Sequence, residues 1–288
     1  MCIVCGKKHV PLMCDTLDAR NKKSDNSDEK CASSKISMSN ITYGPKYGEV
    51  LKEWEQEGVI EEVPKEEIKS SCPYMPHRHV VKANSTTKII PVFNAFSKEK
   101  GTPSLNDCVE KGLNLIELIP SILKRFRLYK FGITDNTCKA LLQINFYKKR
   151  DFLRFLRYDE DGNLKHYHHR RVVFGVSCSS FLLGSTNRYY LERKLDEAKQ
   201  GNEKYSRDII RQLMVSFYVD NCLTSVKTES DLKQFIEVAI EIMAERKFVL
   251  RGWECTNPSE STASSTNALG MMWEIHCYTL PINIPDVK

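Results

Sequence analysis

Four side chains at the start of the chain have the types and spacing of a metal centre. Cys2, Cys5, His9 and Cys14 follow the pattern C-x2-C-x3-H-x4-C. Three thiolates and one imidazole complete a closed tetrahedral zinc shell. Gly6 permits the tight turn that brings the first two sulfurs together. A peptide this short buries almost no core, so Zn2+ would supply most of its folding free energy, on the order of 10 kcal/mol. Lys7, Lys8, Val10 and Met13 give the knuckle a face suited to nucleic acid.

A second chemical signal is the run Ser216-Phe217-Tyr218-Val219-Asp220-Asn221. Apolar arms on both sides predict a β-hairpin with Asp220 projecting from its tip and Tyr218 beneath it. An acidic hairpin tip can hold a divalent ion when a carboxylate on a neighbouring strand joins it. Two-metal phosphoryl transfer needs such carboxylates to hold Mg2+ ions about 4 Å apart. Leu128–Ile133, running on to Asp135 and Asn136, is an apolar strand that supplies the partner. The plainer alternative is that Asp-Asn is a common turn dipeptide.

These residues need elements to position them. A helix is predicted from Lys46 to a stop at Gly58, with Val50, Leu51 and Trp54 on one face. Residues 72–96 read as extended. Residues 105–128 are expected to contain a helix with apolar members Leu113, Ile116, Leu118, Ile119 and Ile122, interrupted by Pro120. Strand-like runs at 152–158 and 167–174 flank the turn signal Asp161-Gly162. The strongest helix is 230–246, where Leu232, Phe235, Ile236, Ala239, Ile240 and Met243 form one stripe. Phe174, Phe217 and Trp253 read as core. His166, His168 and His169 beside Arg170 and Arg171 read as a solvated strand edge. Mixed hairpins and helices predict an α+β fold.

The chain has 288 residues, 41% hydrophobic and 28% charged, an ordinary globular balance that excludes wholesale disorder. The net charge of +6 is unevenly spread: residues 71–190 hold 20 Lys/Arg against 9 Asp/Glu. Such a basic segment is the footprint of a polyanion binder or a Lys-rich solvated face. No signal peptide or transmembrane segment is read, so the expectation is an intracellular chain, cytoplasmic or nuclear, with no membrane partner. Eight of its eleven cysteines have no ligand spacing and are expected to pack or drift.

The ordered set of segments over 43–280 resembles the reverse transcriptase of BEL/Pao-type LTR retrotransposons. The resemblance runs through Pro76–Lys82, Ser85–Ala95, Ser104–Cys108, Gly112–Leu115, Gln143-Ile144 and Arg154–Leu156. It continues through Phe174–Val176, Ser179, Phe181–Leu183, Tyr218–Asp220, Leu250–Trp253 and Leu269–Trp273. The knuckle, with Leu17–Arg20 behind it, is similar to that of the same elements' Gag protein. The resemblance implies a CCHC zinc knuckle at 1–14, a polar linker at 15–41 and reverse transcriptase fingers and palm, with an antiparallel palm sheet, at 42–288. No RNase H or integrase is read, so the expectation is a deleted Gag-to-Pol fragment of a polyprotein. It further implies an RNA or DNA template-primer as partner and a possible dNTP. Lys88, Tyr218, Leu141 and Gln143 are the implied nucleic-acid or dNTP contacts. Asp220, Asn221, Asn136 and the adjacent Asp135 are the implied catalytic positions, with Asp220 on Mg2+.

The chemistry implied is nucleotidyl transfer between two Mg2+ ions, and here the chain departs from the family. The first catalytic Asp is expected seven residues before Gln143-Ile144, where Asn136 stands; the second hairpin Asp is Asn221. Asp135 is on the opposite face of a regular strand, which only a local bulge would reverse. Ile90 occupies the position of a triphosphate-clamping Arg, Pro91 removes a sheet hydrogen bond, and Leu141 replaces a ribose-selecting aromatic. Losing one charge-assisted phosphate contact costs about 1.5–3 kcal/mol. The expectation is a degenerate polymerase that keeps nucleic-acid affinity. The alternatives are a zinc-dependent nucleic-acid module on an inert scaffold, and an active enzyme using Asp135 with Asp220.

Overall fold

Proline at the first helical position leaves no orphan N–H, and Pro45 opens α1, Pro45–Gln56. The computed structural model of the chain describes residues 45–68, 72–81, 89–98, 100–137, 139–146, 150–159, 161–201, 204–256, 265–269 and 271–274. The expected zinc ligands Cys2, Cys5, His9 and Cys14, the linker and Lys88 lie outside the described residues. After α1 come β1 (Ile60–Glu62), β2 (His77–Val81), β3 (Ile89–Phe93), α2 (Leu105–Cys108), α3 (Ile119–Phe126) and β4 (Phe131–Thr137). Then follow β5 (Arg154–Tyr158), β6 (Leu164–His169), α4 (Ser179–Lys199), α5 (Arg207–Ser216), β7 (Phe217–Tyr218) and β8 (Asn221–Val226). The last elements are α6 (Glu229–Ala244), β9 (Leu250–Cys255), β10 (Ser265–Ala268) and β11 (Met271–Glu274). All ladders between these strands are antiparallel. The fold is α+β, and no helix among the described residues is long and apolar enough to cross a membrane.

The chain divides into two compact units. One comprises the residues up to Gly112 with Ile144–Ser179; the other comprises Leu113–Gln143 and Ser180 onward. In the first unit the sheet order is β1-β6-β5, beside a β2-β3 hairpin. Tyr47, Leu51 and Trp54 of α1 are buried, and Trp54 stacks on Phe93 at 6.4 Å. Because β6 is the central strand, its histidines are not a solvated edge as expected. His168 and His169 are buried, and His169 is fully enclosed. Neighbours across two ladders shield a central strand from water, and single-sequence patterning does not show which strand takes that place. Pro91 is tolerated because β3 is paired on one side only among the described residues, opposite His79.

In the second unit the sheet order is β7-β8-β4-β9. One face is covered by α5 and α6, with Gln212 of α5 donating to Thr224 Oγ1 at 3.0 Å. The other face carries Gly132, Thr134 and Asn136. At its far end it is covered by a cluster of Ile122, Phe126, Leu223, Ala268 and Trp273. Helix α6 is the expected one. Thr228 and Asp231 form a reciprocal capping box, and Leu232, Phe235, Ala239, Ile242 and Met243 are buried, whereas Ile240 is exposed.

The span 105–128, expected to contain a helix, holds three short helical pieces. Val109 takes an extended conformation after α2, and Gly112 has φ +80°. Asn114 then caps a 3-10 turn at Leu115–Leu118, and Pro120 sits at the start of α3, where its missing N–H is harmless. Leu113 and Ile116 are therefore exposed (71% and 65%) rather than core. The strand expected from Leu128 begins at Phe131 instead, and Leu128 and Tyr129 are exposed. The Ser225 hydroxyl holds that connection, accepting from Tyr129 N at 3.0 Å and donating to Arg125 O at 2.6 Å. Phe174 is exposed, and Phe217 and Trp253 are half-buried, not core as expected.

Candidate functional site

The hairpin between β7 and β8 has two residues, Val219 and Asp220, at its tip, because Tyr218 pairs with Asn221. Val219 has φ +55°. Positive φ suits Gly or Asn in a two-residue hairpin turn, and a β-branched residue there is strained by an amount of order 1–3 kcal/mol. The surroundings hold it in place. Asp220 O accepts from Thr137 N at 2.7 Å, tying the turn to the end of β4. Strain of this kind clusters at functional sites.

Register places the expected residues. Asn136 stands directly opposite Asn221, and Asp135 opposite Cys222. Residues directly opposite share a face and have Cβ atoms about 4.5–5.5 Å apart. Asn136, Asn221 and Asp220 are thus brought together at the open end of one face. Asn136 is exposed and the other two are half-buried. The side chain of Asn221 donates from Nδ2 to Asp220 Oδ1 at 2.9 Å.

Asp135 is on the other face. Its exposure is 2%, and no side chain among the described residues donates a hydrogen bond to its carboxylate. Burial pushes its carboxyl up to about 7. The ladder to β9 does contain a bulge here. Thr134 faces Glu254 while Asn136 faces Arg251, so Gly252 and Trp253 together oppose Asp135. The extra residue belongs to β9, where Gly252 has φ +94°. Strand β4 keeps its alternation, and Asp135 is not brought to the side of Asp220.

Of the remaining expected contacts, Tyr218 stands opposite Asn221. Tyr218 is half-buried and packs against the Phe126–Trp273 cluster. Leu141 is buried in a 3-10 turn, Ala140–Gln143, whose last residue Gln143 is half-buried. Among the described residues no group of three or more His, Cys, Asp or Glu side chains could hold a metal ion.

Sequence reasoning missed a second constrained turn, in the first unit. Gly175 has φ +97°, and a Cβ there would lie 2.5 Å from the Phe93 carbonyl oxygen. Asn106, buried in α2, donates to Gly175 O at 2.9 Å and accepts from Ser177 N at 2.7 Å. A signal was present. Ser104-x-x-Asp107 is a capping box, formed in the structure, and it fixes the short helix that presents Asn106.

No protein-family model matches the chain, and no curated protein matches it. Solved structures do. One is the foamy viral protease-reverse transcriptase dRH in complex with double-stranded DNA. It has a TM-score of 0.56 at 16% identity over 84% of this chain and 36% of that one. Another is the foamy viral protease-reverse transcriptase in complex with an RNA/DNA hybrid, at 0.55 and 16% over 82% and 26%. The native prototype foamy virus protein gives 0.51 and 15% over 73% and 24%. This chain spans 36% or less of these proteins. The likeness is one of fold: mixed helices and antiparallel sheet arranged as in reverse transcriptases.

Proposed function

We propose that the chain is a retrotransposon-derived, reverse transcriptase-like nucleic-acid-binding domain of the BEL/Pao type whose polymerase chemistry has been lost. The observation that carries this reading is the pairing of Asn136 with Asn221 beside Asp220. Three side chains converge on the open face where a polymerase needs carboxylates, and two of them are neutral amides. A pair of Mg2+ ions does not fit that donor set. Magnesium selects charged oxygen ligands, and the adjacent carboxylate in sequence, Asp135, is buried on the opposite face. The fold supports retained binding of a template-primer, since the similar viral proteins were solved with double-stranded DNA and with an RNA/DNA hybrid. The basic segment 71–190 would supply the cations. In this reading the four-stranded sheet is the palm, and Cys2, Cys5, His9 and Cys14 form a zinc knuckle that adds a second nucleic-acid contact.

Primer extension with Mg2+ or Mn2+ tests the loss of chemistry. The expected result is no template-dependent product, and extension above a no-enzyme blank sinks the proposal. A gel shift with an RNA/DNA hybrid at increasing salt tests the binding. Affinity should fall steeply with salt and survive deletion of residues 1–41. If binding disappears with that deletion, the knuckle is the binding module and the remainder its scaffold. Zinc content of about one ion per chain, lost in Cys5→Ser, tests the knuckle.

A further inference from the structure

The second unit contains a cavity of about 480 Å3 that none of the expected site residues line. It lies at the end of β8 away from Asn221, about 16 Å along the strand at 3.3 Å per residue. Its volume is within the range of small-molecule sites. Val226 and the buried Phe235 contribute an apolar wall, and the exposed ring of Tyr129 contributes another.

The charges on its lining are unequal in their commitments. Asp208 is paired with Arg211 at 2.9 Å, and Asp231 is bound into the α6 capping box. Arg125 and Lys227 have no carboxylate partner among the described residues. Arg125 donates one guanidinium hydrogen bond to Val215 O at 2.8 Å, while its Nε is buried without an acceptor. The Lys227 ammonium lies 5.3 Å from the centroid of the Tyr129 ring, so charge and aromatic face form one surface. Ser206, at the N-cap of α5, makes no capping bond with its side chain and leaves a hydroxyl on the same lining. Lys124, Arg127 and Lys130, which flank Arg125 and Tyr129 in sequence, are exposed.

We propose that this cavity binds a small phosphorylated ligand bearing a planar ring, with the phosphate between Arg125 and Lys227 and the ring against Tyr129. The chemistry is an anion that supplies acceptors to unpaired cations joined to a flat apolar group that fills the wall. A free phosphorylated aromatic metabolite and a mononucleotide share it. The site is separate from the turn at Asp220 and does not depend on the polymerase reading.

Calorimetric titration of the full chain with inorganic phosphate, phenyl phosphate and adenosine 5′-monophosphate tests the proposal. Phenyl phosphate or the nucleotide should bind at least about tenfold more tightly than phosphate alone, and which of the two is tighter identifies the source. Lys227→Gln, at an exposed position, should weaken binding about tenfold, the loss of one charge-assisted contact. Arg125→Gln should do the same or more. Asp220→Asn should leave it unchanged. Unaltered binding in Lys227→Gln, equal affinity for inorganic phosphate, or loss of binding in Asp220→Asn overturns the proposal. Hybrid binding by the same variants, measured by gel shift, reports separately on the proposed function.

Discussion

Asn221 donates its side-chain amide to the carboxylate of its neighbour Asp220 at 2.9 Å, at the tip of a strained two-residue turn. An Asp at position 221 could not do this. Two adjacent carboxylates repel, and a third opposite them at position 136 would add to the repulsion unless a cation intervened. The amides therefore make the turn stable without an ion, and they remove the charge that captures one. Restoring the charge with Asn136→Asp and Asn221→Asp together should tighten Tb3+ or Mn2+ binding at least about hundredfold, given about 1.5–3 kcal/mol per added charged ligand. The double variant should also melt lower than the parent in EDTA and recover with Mg2+. An unchanged ion affinity would show that the three positions do not converge.

Asp135 makes the second unit lose stability as pH rises toward neutrality. Burial raises its folded-state pKa to about 7 from the usual carboxylate value near 4. Between those values the folded state holds a proton that the unfolded chain has released, so stability falls as pH rises from about 4 to 7, by up to about 1.4 kcal/mol per pH unit. Asp135→Asn removes the ionisation and nearly preserves the shape. It should raise the melting temperature at pH 8 and change it little at pH 4. A stabilisation that is independent of pH would refute burial of the charge as the cause.

Much of this second unit was legible from residue spacing, because it is encoded locally. The α6 stripe and the 218–221 turn are each contained within a few consecutive residues. The opposition of Asp135 and Asn136 follows from strand alternation. The bulge at Gly252 was not legible, since it depends on how β9 meets β4, over a hundred residues away in sequence. The first unit was harder to read for the same reason. The letters His166 to Arg171 look polar, yet β6 runs between β1 and β5. Its partners, Ile60 for His169 and Arg154 for His168, come from remote parts of the chain.

His169 makes the first unit sensitive to acid. Its ring meets Phe93 edge-on at 4.4 Å and Phe155 at 5.1 Å, and neither ring nitrogen has a hydrogen-bond partner among the described residues. Burial, with the nearby His77 and His168, lowers its pKa to about 3. Burial lowers the pKa of His77 beside it as well. Its Nε2 donates to Leu156 O at 2.8 Å, so its Nδ1 accepts from the Tyr47 hydroxyl at 2.6 Å. The unfolded chain takes up a proton on His169 near pH 6.5 and the folded chain does not. Stability is therefore lost as pH falls from about 6.5 toward 3, by up to about 1.4 kcal/mol per pH unit. His169→Leu should flatten this acid limb in chemical denaturation at pH 4.5 relative to pH 7.5. An acid limb of unchanged slope would assign it to other groups.

Gly175 and Asn106 should fail together and for different reasons. A methyl group at position 175 meets the Phe93 carbonyl oxygen and also strains a backbone at φ +97°, so Gly175→Ala has no relaxed position. Removing the Asn106 amide deletes its hydrogen bonds to Gly175 O and Ser177 N, both only part-buried, at about 0.5–1.5 kcal/mol each. Asn106→Leu should therefore destabilise the chain by about 1–3 kcal/mol in urea denaturation, and Gly175→Ala by an amount of similar order. Because both changes disrupt the same turn, the double variant should lose clearly less than the sum of the two singles. A double-mutant cycle that closes additively would show that Asn106 acts on something other than the Gly175 turn.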